Sequence, residues 1–131
     1  MLRWVVAAGL LAALPAVASA QDVEAGKKIF ASKCGVCHAI GPGAKNKLGP
    51  ELNGIVGRPA ASVAGFKYSG ALQKSGITWD DAALHEWIEN PKKKVPGTFM
   101  AFAGIKDEIE RDDVLAYIES FAADGSPAPA K

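Results

Sequence analysis

The sequence predicts a single all-α domain, and three observations carry that expectation. Apolar residues recur at helical spacing in separated stretches, most clearly at Val114, Tyr117, Ile118 and Phe121. The stretches between them are rich in Gly, Pro, Lys and Asn, and none keeps the alternation that a half-buried strand needs. The whole chain is 131 residues long, enough for one modest core and no more.

The N-terminus is set apart from that domain. Arg3 precedes an apolar run from Val5 to Val17, followed by Ala18-Ser19-Ala20, which reads as a cleavable secretory signal peptide over residues 1–20 with an A-x-A site. Pro15 interrupts the run, and its length falls short of the ~20 residues of a membrane span, so a membrane anchor is the lesser reading. Cleavage would leave a soluble chain from Gln21. Without Arg3 the remaining 14 cations balance 14 acids, which excludes a generally basic nucleic-acid binder.

The elements follow in order. A first helix is expected over 22–35, with Asp22 as N-cap and Val23, Gly26 and Phe30 at helical spacing. From Ile40 to Gly65 the chain reads as a long functional loop, punctuated by Gly41-Pro42-Gly43, Gly49-Pro50 and Gly57-Arg58-Pro59. A short helical turn is expected over 70–74. The next helix starts after Thr78 as N-cap, carries Leu84, Trp87 and Ile88 on one face, and ends at Asn90-Pro91. A second loop runs through Pro96-Gly97 to Gly104. The last helix spans 107–122, with Asp107, Glu108 and Glu110 suited to the positive end of its dipole. The domain therefore covers 21–123, and 124–131, with nothing apolar enough to bury, is expected to be a disordered tail. No internal repeat and no Rossmann or P-loop glycine pattern is present.

Chemistry concentrates in Cys34-Gly35-Val36-Cys37-His38, the Cys-x-x-Cys-His attachment sequence of a c-type haem. Side chains three and four apart on a helical turn project from one side, so two thioether bonds and one imidazole can address one porphyrin. The imidazole must be neutral to bind iron. A thioredoxin-like pair would need a βαβ pattern, which is missing, and a structural zinc site would need a fourth Cys or His, for which only His85 remains. A disulfide is the third alternative.

The far side of the iron decides between electron carrier and enzyme, because an open position admits a substrate. Met100, the single methionine after residue 20, lies in the loop Pro96 to Phe102, where no helical stripe explains it. A core filler is the bland alternative. His85 lies on a helix opposite Leu84, Trp87 and Ile88, near Asp81 and Glu89, and reads as a solvated surface histidine. Met100 is therefore the favoured sixth ligand.

Taken together the chain resembles class I cytochrome c. The resemblance rests on Gly26-Lys27-Lys28-Ile29-Phe30, Gly49-Pro50, Leu52-Asn53-Gly54, Gly57-Arg58, Gly76-Ile77-Thr78-Trp79, Asn90-Pro91-Lys92-Lys93 and Pro96-Gly97-Thr98 through Ile105, besides the haem motif. It covers nearly all of 22–122. It implies the cytochrome c fold, with N- and C-terminal helices packed together around a covalently attached haem, and long loops. It implies one haem c per chain, iron ligated by His38 and Met100, Gly26 and Phe30 against Val114 and Tyr117, and the Pro50 carbonyl accepting the His38 Nδ1 proton. It further implies that Arg58, Tyr68, Trp79 and Thr98 hold the haem propionates. The chain departs from many relatives at Trp87 (commonly tyrosine), Leu72 (commonly asparagine) and Phe99 (commonly lysine). An export signal fits the bacterial c2 branch, and with it the periplasm, better than mitochondrial import.

Charge placement adds a direction. Lys27, Lys28, Lys33, Lys45 and Lys47 stand in a stretch without acids, Lys92, Lys93 and Lys94 precede the Met100 loop, and 107–124 holds seven acids against Arg111. Such a dipole steers association. Lys28, Lys33, Lys47, Lys92, Lys93 and Lys106 are expected to meet acidic patches of membrane electron-transfer complexes. The leading expectation is a monomeric, non-enzymatic one-electron carrier, without nucleic-acid partner or small-molecule substrate. It would run between a cytochrome bc1-type complex and a terminal oxidase or photosynthetic reaction centre. A haem peroxidase or gas binder and a structural zinc or disulfide domain are the rivals.

Overall fold

The computed structural model describes residues 21–129; the expected signal peptide, at 1–20, lies outside them, as do 130–131. Among the described residues five helices follow one another: α1 (Val23–Lys33), α2 (Gly70–Gln73), α3 (Asp81–Glu89), α4 (Pro91–Lys94) and α5 (Glu108–Glu119). Among the described residues, β-pairing is confined to two isolated bridges, Pro59 with Thr78 and Phe121 with Pro127. None of these helices is long and apolar enough to cross a membrane.

The first and last helices form the platform. Asp22 caps α1 by accepting from the Ala25 amide at 3.0 Å, and its own amide donates to Asp113 Oδ1 at 2.8 Å, joining α1 to α5. Gly26 makes the close crossing possible: a Cβ there would lie 1.9 Å from the Asp113 carbonyl oxygen. Beside it Phe30 packs on Tyr117 with ring centroids 5.5 Å apart. Val114, Leu115 and Ile118 of α5 are buried with Ile105, and Trp79, Leu84, Trp87, Ile88 and Val95 extend the same core.

Several boundaries differ from expectation. Asp80, not Thr78, caps α3, accepting from the Ala83 amide at 2.8 Å. The reason is that Thr78 and Trp79 are held extended: Thr78 bridges Pro59, and the Trp79 amide donates to Arg58 O at 2.9 Å. Asn90 ends α3 but also caps α4, with Pro91 at its first position, where a missing N–H costs nothing. The loop expected there is helical for one turn. His85 is half-buried rather than solvated, with Nε2 3.3 Å from Asp112 Oδ1 of α5. Helix α5 stops at Glu119, and the following segment is not a free tail. Ala122 N donates to Ser126 O and Ala128 N to Ser120 O, each at 2.8 Å, while Gly125 is buried against Gly41. Backbone hydrogen bonds order this stretch although it has little apolar surface to bury.

Candidate haem site

The cysteine motif continues α1 as a turn. Cys34 caps the helix with its N–H on Phe30 O, and the Cys37 and His38 amides both donate to Cys34 O, at 3.0 and 2.9 Å. That wrapping brings Cys34, Cys37 and His38 together as the spacing requires. Both thiols are free, Cys34 half-buried and Cys37 exposed. Burial pushes the Cys34 thiol up to about 11, with the Lys33 charge opposing it, so it is a neutral thiol at neutral pH.

His38 is oriented by its neighbour loop. Its Nδ1 lies 2.7 Å from Pro50 O; a carbonyl can only accept, so Nδ1 carries the proton and Nε2 keeps its lone pair. Burial lowers the histidine below its usual range, more than the Pro50 hydrogen bond and Lys47 alter it. The result is a neutral, aimed imidazole, and a hydrogen-bonded imidazole is the more basic ligand. Gly49 allows the loop to lie this close. A Cβ at Gly49 would stand 2.4 Å from His38 Cε1. The Gly49 amide donates to Cys37 O at 2.8 Å, and Lys47 Nζ to Gly35 O at 2.7 Å.

Met100 is half-buried against the core, in the loop after α4. Its amide donates to Thr98 Oγ1 at 3.2 Å, so Thr98 fixes the backbone at the methionine. Tyr68 Oη accepts from the Val63 amide at 3.0 Å; its burial raises the phenol above its ordinary range, leaving a neutral O–H free to donate. Trp79 and Trp87 are buried, with ring centroids 5.2 Å apart. Neither indole N–H meets an acceptor among the described residues, and neither nitrogen is sealed inside the protein, so both donors are open to a group that brings carboxylates, as haem does with its propionates.

Other expected site residues are engaged within the chain. Arg58 donates to Asn53 O at 3.0 Å and Glu51 O at 3.2 Å, and lies 3.5 Å from the Glu51 carboxylate. Of the six expected partner-facing lysines, Lys33 pairs with Glu110 at 3.1 Å and Lys106 Nζ donates to Glu89 O. Lys47 is on Gly35, while Lys28, Lys92 and Lys93 are exposed and carry no ion pair among the described residues. Asn53 was legible only as part of a motif: it is buried and clamps Gly41 through both its amide and carbonyl, at 2.8 Å each.

A turn that presents two free thiols and one neutral imidazole, beside indole and phenol donors without acceptors of their own, defines a c-type haem protein. The comparisons carry this further. The cytochrome c family model matches residues 23–122. Cytochrome c2 of Blastochloris viridis is 54% identical over 117 residues, covering 89% of this chain and 91% of the relative. Cytochrome c-550 of Nitrobacter winogradskyi is 55% identical over 104 residues, covering 79% and 94%. The solved structure of cytochrome cH from Methylobacterium extorquens aligns with a TM-score of 0.70 at 47% identity, covering 76% of this chain and 98% of that one. The chain belongs to the cytochrome c family. It is c2-like, takes part in electron transport, and its cofactor is covalently bound haem c with its iron.

Proposed function

We propose that the protein is a soluble, monomeric periplasmic carrier of single electrons, exported through residues 1–20. His38 and Met100 would hold the iron from its two sides, and Cys34 and Cys37 would tether the porphyrin. The observation that carries this reading is the His38 imidazole: neutral, half-buried, and aimed by Pro50 so that Nε2 is left for the metal. The haem supplies a one-electron couple, raised by histidine and methionine ligation.

The chain's own residues account for the rest. Pro50 orients the imidazole, Thr98 pins the Met100 backbone, and the apolar core keeps water out. The free donors of Trp79, Tyr68 and Thr98 take the propionates, and Arg58 braces the loop at Glu51 and Asn53 while adding positive charge beside them. With His38 and Met100 both held by the iron there would be no place for a substrate, and the protein would act as a carrier and not as an enzyme.

Donor and acceptor are a cytochrome bc1-type complex and a terminal oxidase or photosynthetic reaction centre, met through acidic patches. Lys28, Lys92 and Lys93 lead the contact, and Lys33, Lys47 and Lys106 join it by exchanging their present partners. The test is stopped-flow electron transfer with such a membrane complex over a range of salt. Rates that fall as salt rises, less steeply in Lys92→Glu, support the reading. Equal slopes refute the steering, and a high-spin resting haem refutes the carrier assignment.

A further inference from the structure

We propose that Arg111 is a positioning residue for Met100, acting through the far anchor of the loop that carries it; the inference rests on Met100 being an iron ligand. The loop leaves α4 at Val95 and reaches α5 after Lys106. Its near end is held by Val95 N on Pro91 O at 2.9 Å, Thr98 N on Val95 O at 3.1 Å, and the Met100 amide on the Thr98 hydroxyl at 3.2 Å. From Ala101 to Gly104 the backbone makes no hydrogen bond among the described residues. Only apolar packing of Met100 and Phe102 against the core acts there, and such packing is not directional. The ends of the loop therefore set where the thioether stands.

The far end is held with unusual density. Ile105 N donates to Ile88 O at 2.8 Å, Gly104 passes so near Glu89 O that a Cβ would stand 2.0 Å away, and Lys106 Nζ reaches the same carbonyl. Arg111 Nη1 then donates to both Ile105 O and Lys106 O, each at 2.9 Å. To do so it leaves its buried Nε without a partner, which costs free energy in an ordinary site. Arg111 sits on the first turns of α5, its amide on Asp107 O at 3.1 Å. α5 is locked to α1 through Gly26. The guanidinium is thus a strut from the rigid helix pair to the methionine loop.

The test uses the holoprotein in its ferric form. Exogenous imidazole can occupy the sixth position only after Met100 leaves, so its binding constant reads loop opening, and the sulfur-to-iron charge-transfer absorption reports the thioether directly. Arg111→Gln is expected to bind imidazole roughly tenfold more tightly, equivalent to about 1.4 kcal/mol, and to lose the sulfur band at lower pH than the parent. Arg111→Lys keeps the charge and can satisfy one carbonyl; it should fall between the two. Val114→Ala, on the same helix but with no bond to the loop, lowers overall stability and should leave the imidazole constant within about twofold of the parent. Unchanged imidazole binding in both Arg111 variants, or an equal gain in Val114→Ala, would overturn the strut. A parent protein without a sulfur band would overturn the Met100 reading itself, and this inference with it.

Discussion

Gly49→Ala is a one-methyl perturbation whose consequence can be worked from the geometry. Gly49 does not occupy the left-handed region, so alanine is allowed by the backbone, and by reducing unfolded-state freedom it would on its own stabilise by ~0.4–1 kcal/mol. Any loss is therefore steric. The new Cβ would lie 2.4, 2.7 and 2.9 Å from His38 Cε1, Nδ1 and Nε2, where ordinary contact begins at 3.4 Å. The ring must retreat by about 1 Å, and a shift of that size carries Nδ1 from 2.7 Å to the edge of hydrogen-bonding range or beyond. Overpacking of ~1–3 kcal/mol and a lost hydrogen bond of ~0.5–1.5 kcal/mol outweigh the backbone gain by roughly 0.5–4 kcal/mol. At ~4–8 °C per kcal/mol, Tm should fall by at least about 2 °C. The same retreat misaims Nε2, the nitrogen proposed to take the iron, so haem incorporation during maturation should drop. Thermal unfolding followed by haem absorbance, with the ratio of haem to protein, measures both. Wild-type Tm and stoichiometry in Gly49→Ala would refute the claim that this glycine sets the imidazole position.

Gly26→Ala should be still more damaging, because the clash at 1.9 Å is with the backbone oxygen of Asp113, which can yield only if α1 and α5 separate. A loss beyond ~3 kcal/mol in denaturant unfolding is expected. Asp124, which accepts from both the amide and the hydroxyl of Ser126 at 2.9 and 2.6 Å, has its pKa lowered, mainly by the side-chain bond. A lowered carboxylate stabilises the turn above 3.8 and loses that contribution as pH falls through its folded value. Amide exchange at Ser126 should accelerate in that acid range and be pH-independent there, beyond the chemical rate, in Asp124→Ala. Lys92→Gln should slow association with an acidic redox partner more than Lys33→Gln, because Lys33 already faces Glu110 and Lys92 has no ion pair among the described residues to exchange; equal effects would show that the Glu110 pair is immaterial.

The sequence carried the parts of the site that depend on local spacing. Cys34, Cys37 and His38 were legible because one helical turn dictates their common direction; Gly49-Pro50 was legible from composition only as a turn, and its place against His38 only through the family resemblance. α4 escaped because four residues are too few for periodicity, although Asn90-Pro91 is a cap followed by a first-turn proline. The α3 start was misplaced by two residues because the pairing of Thr78 with Pro59 is long-range. The ordered stretch after Ser120 was missed for the opposite reason to a missed core: backbone hydrogen bonds hold it, and composition does not report those. The lysine pattern gave charge but not occupancy; that Lys33 and Lys106 have partners follows from α1 meeting α5 and from the return of the chain at Glu89. Arg111 carried no signal at all, since its two acceptors are main-chain carbonyls.

Iron K-edge X-ray absorption on the ferric and ferrous holoprotein addresses the metal's surroundings without a partner or a substrate. One sulfur scatterer and five nitrogen scatterers in both oxidation states, with the sulfur gone in Met100→Ala, is the expected result. An iron shell with no sulfur in the parent protein, or one unchanged by Met100→Ala, would contradict the assignment of His38 and Met100 as the two ligands.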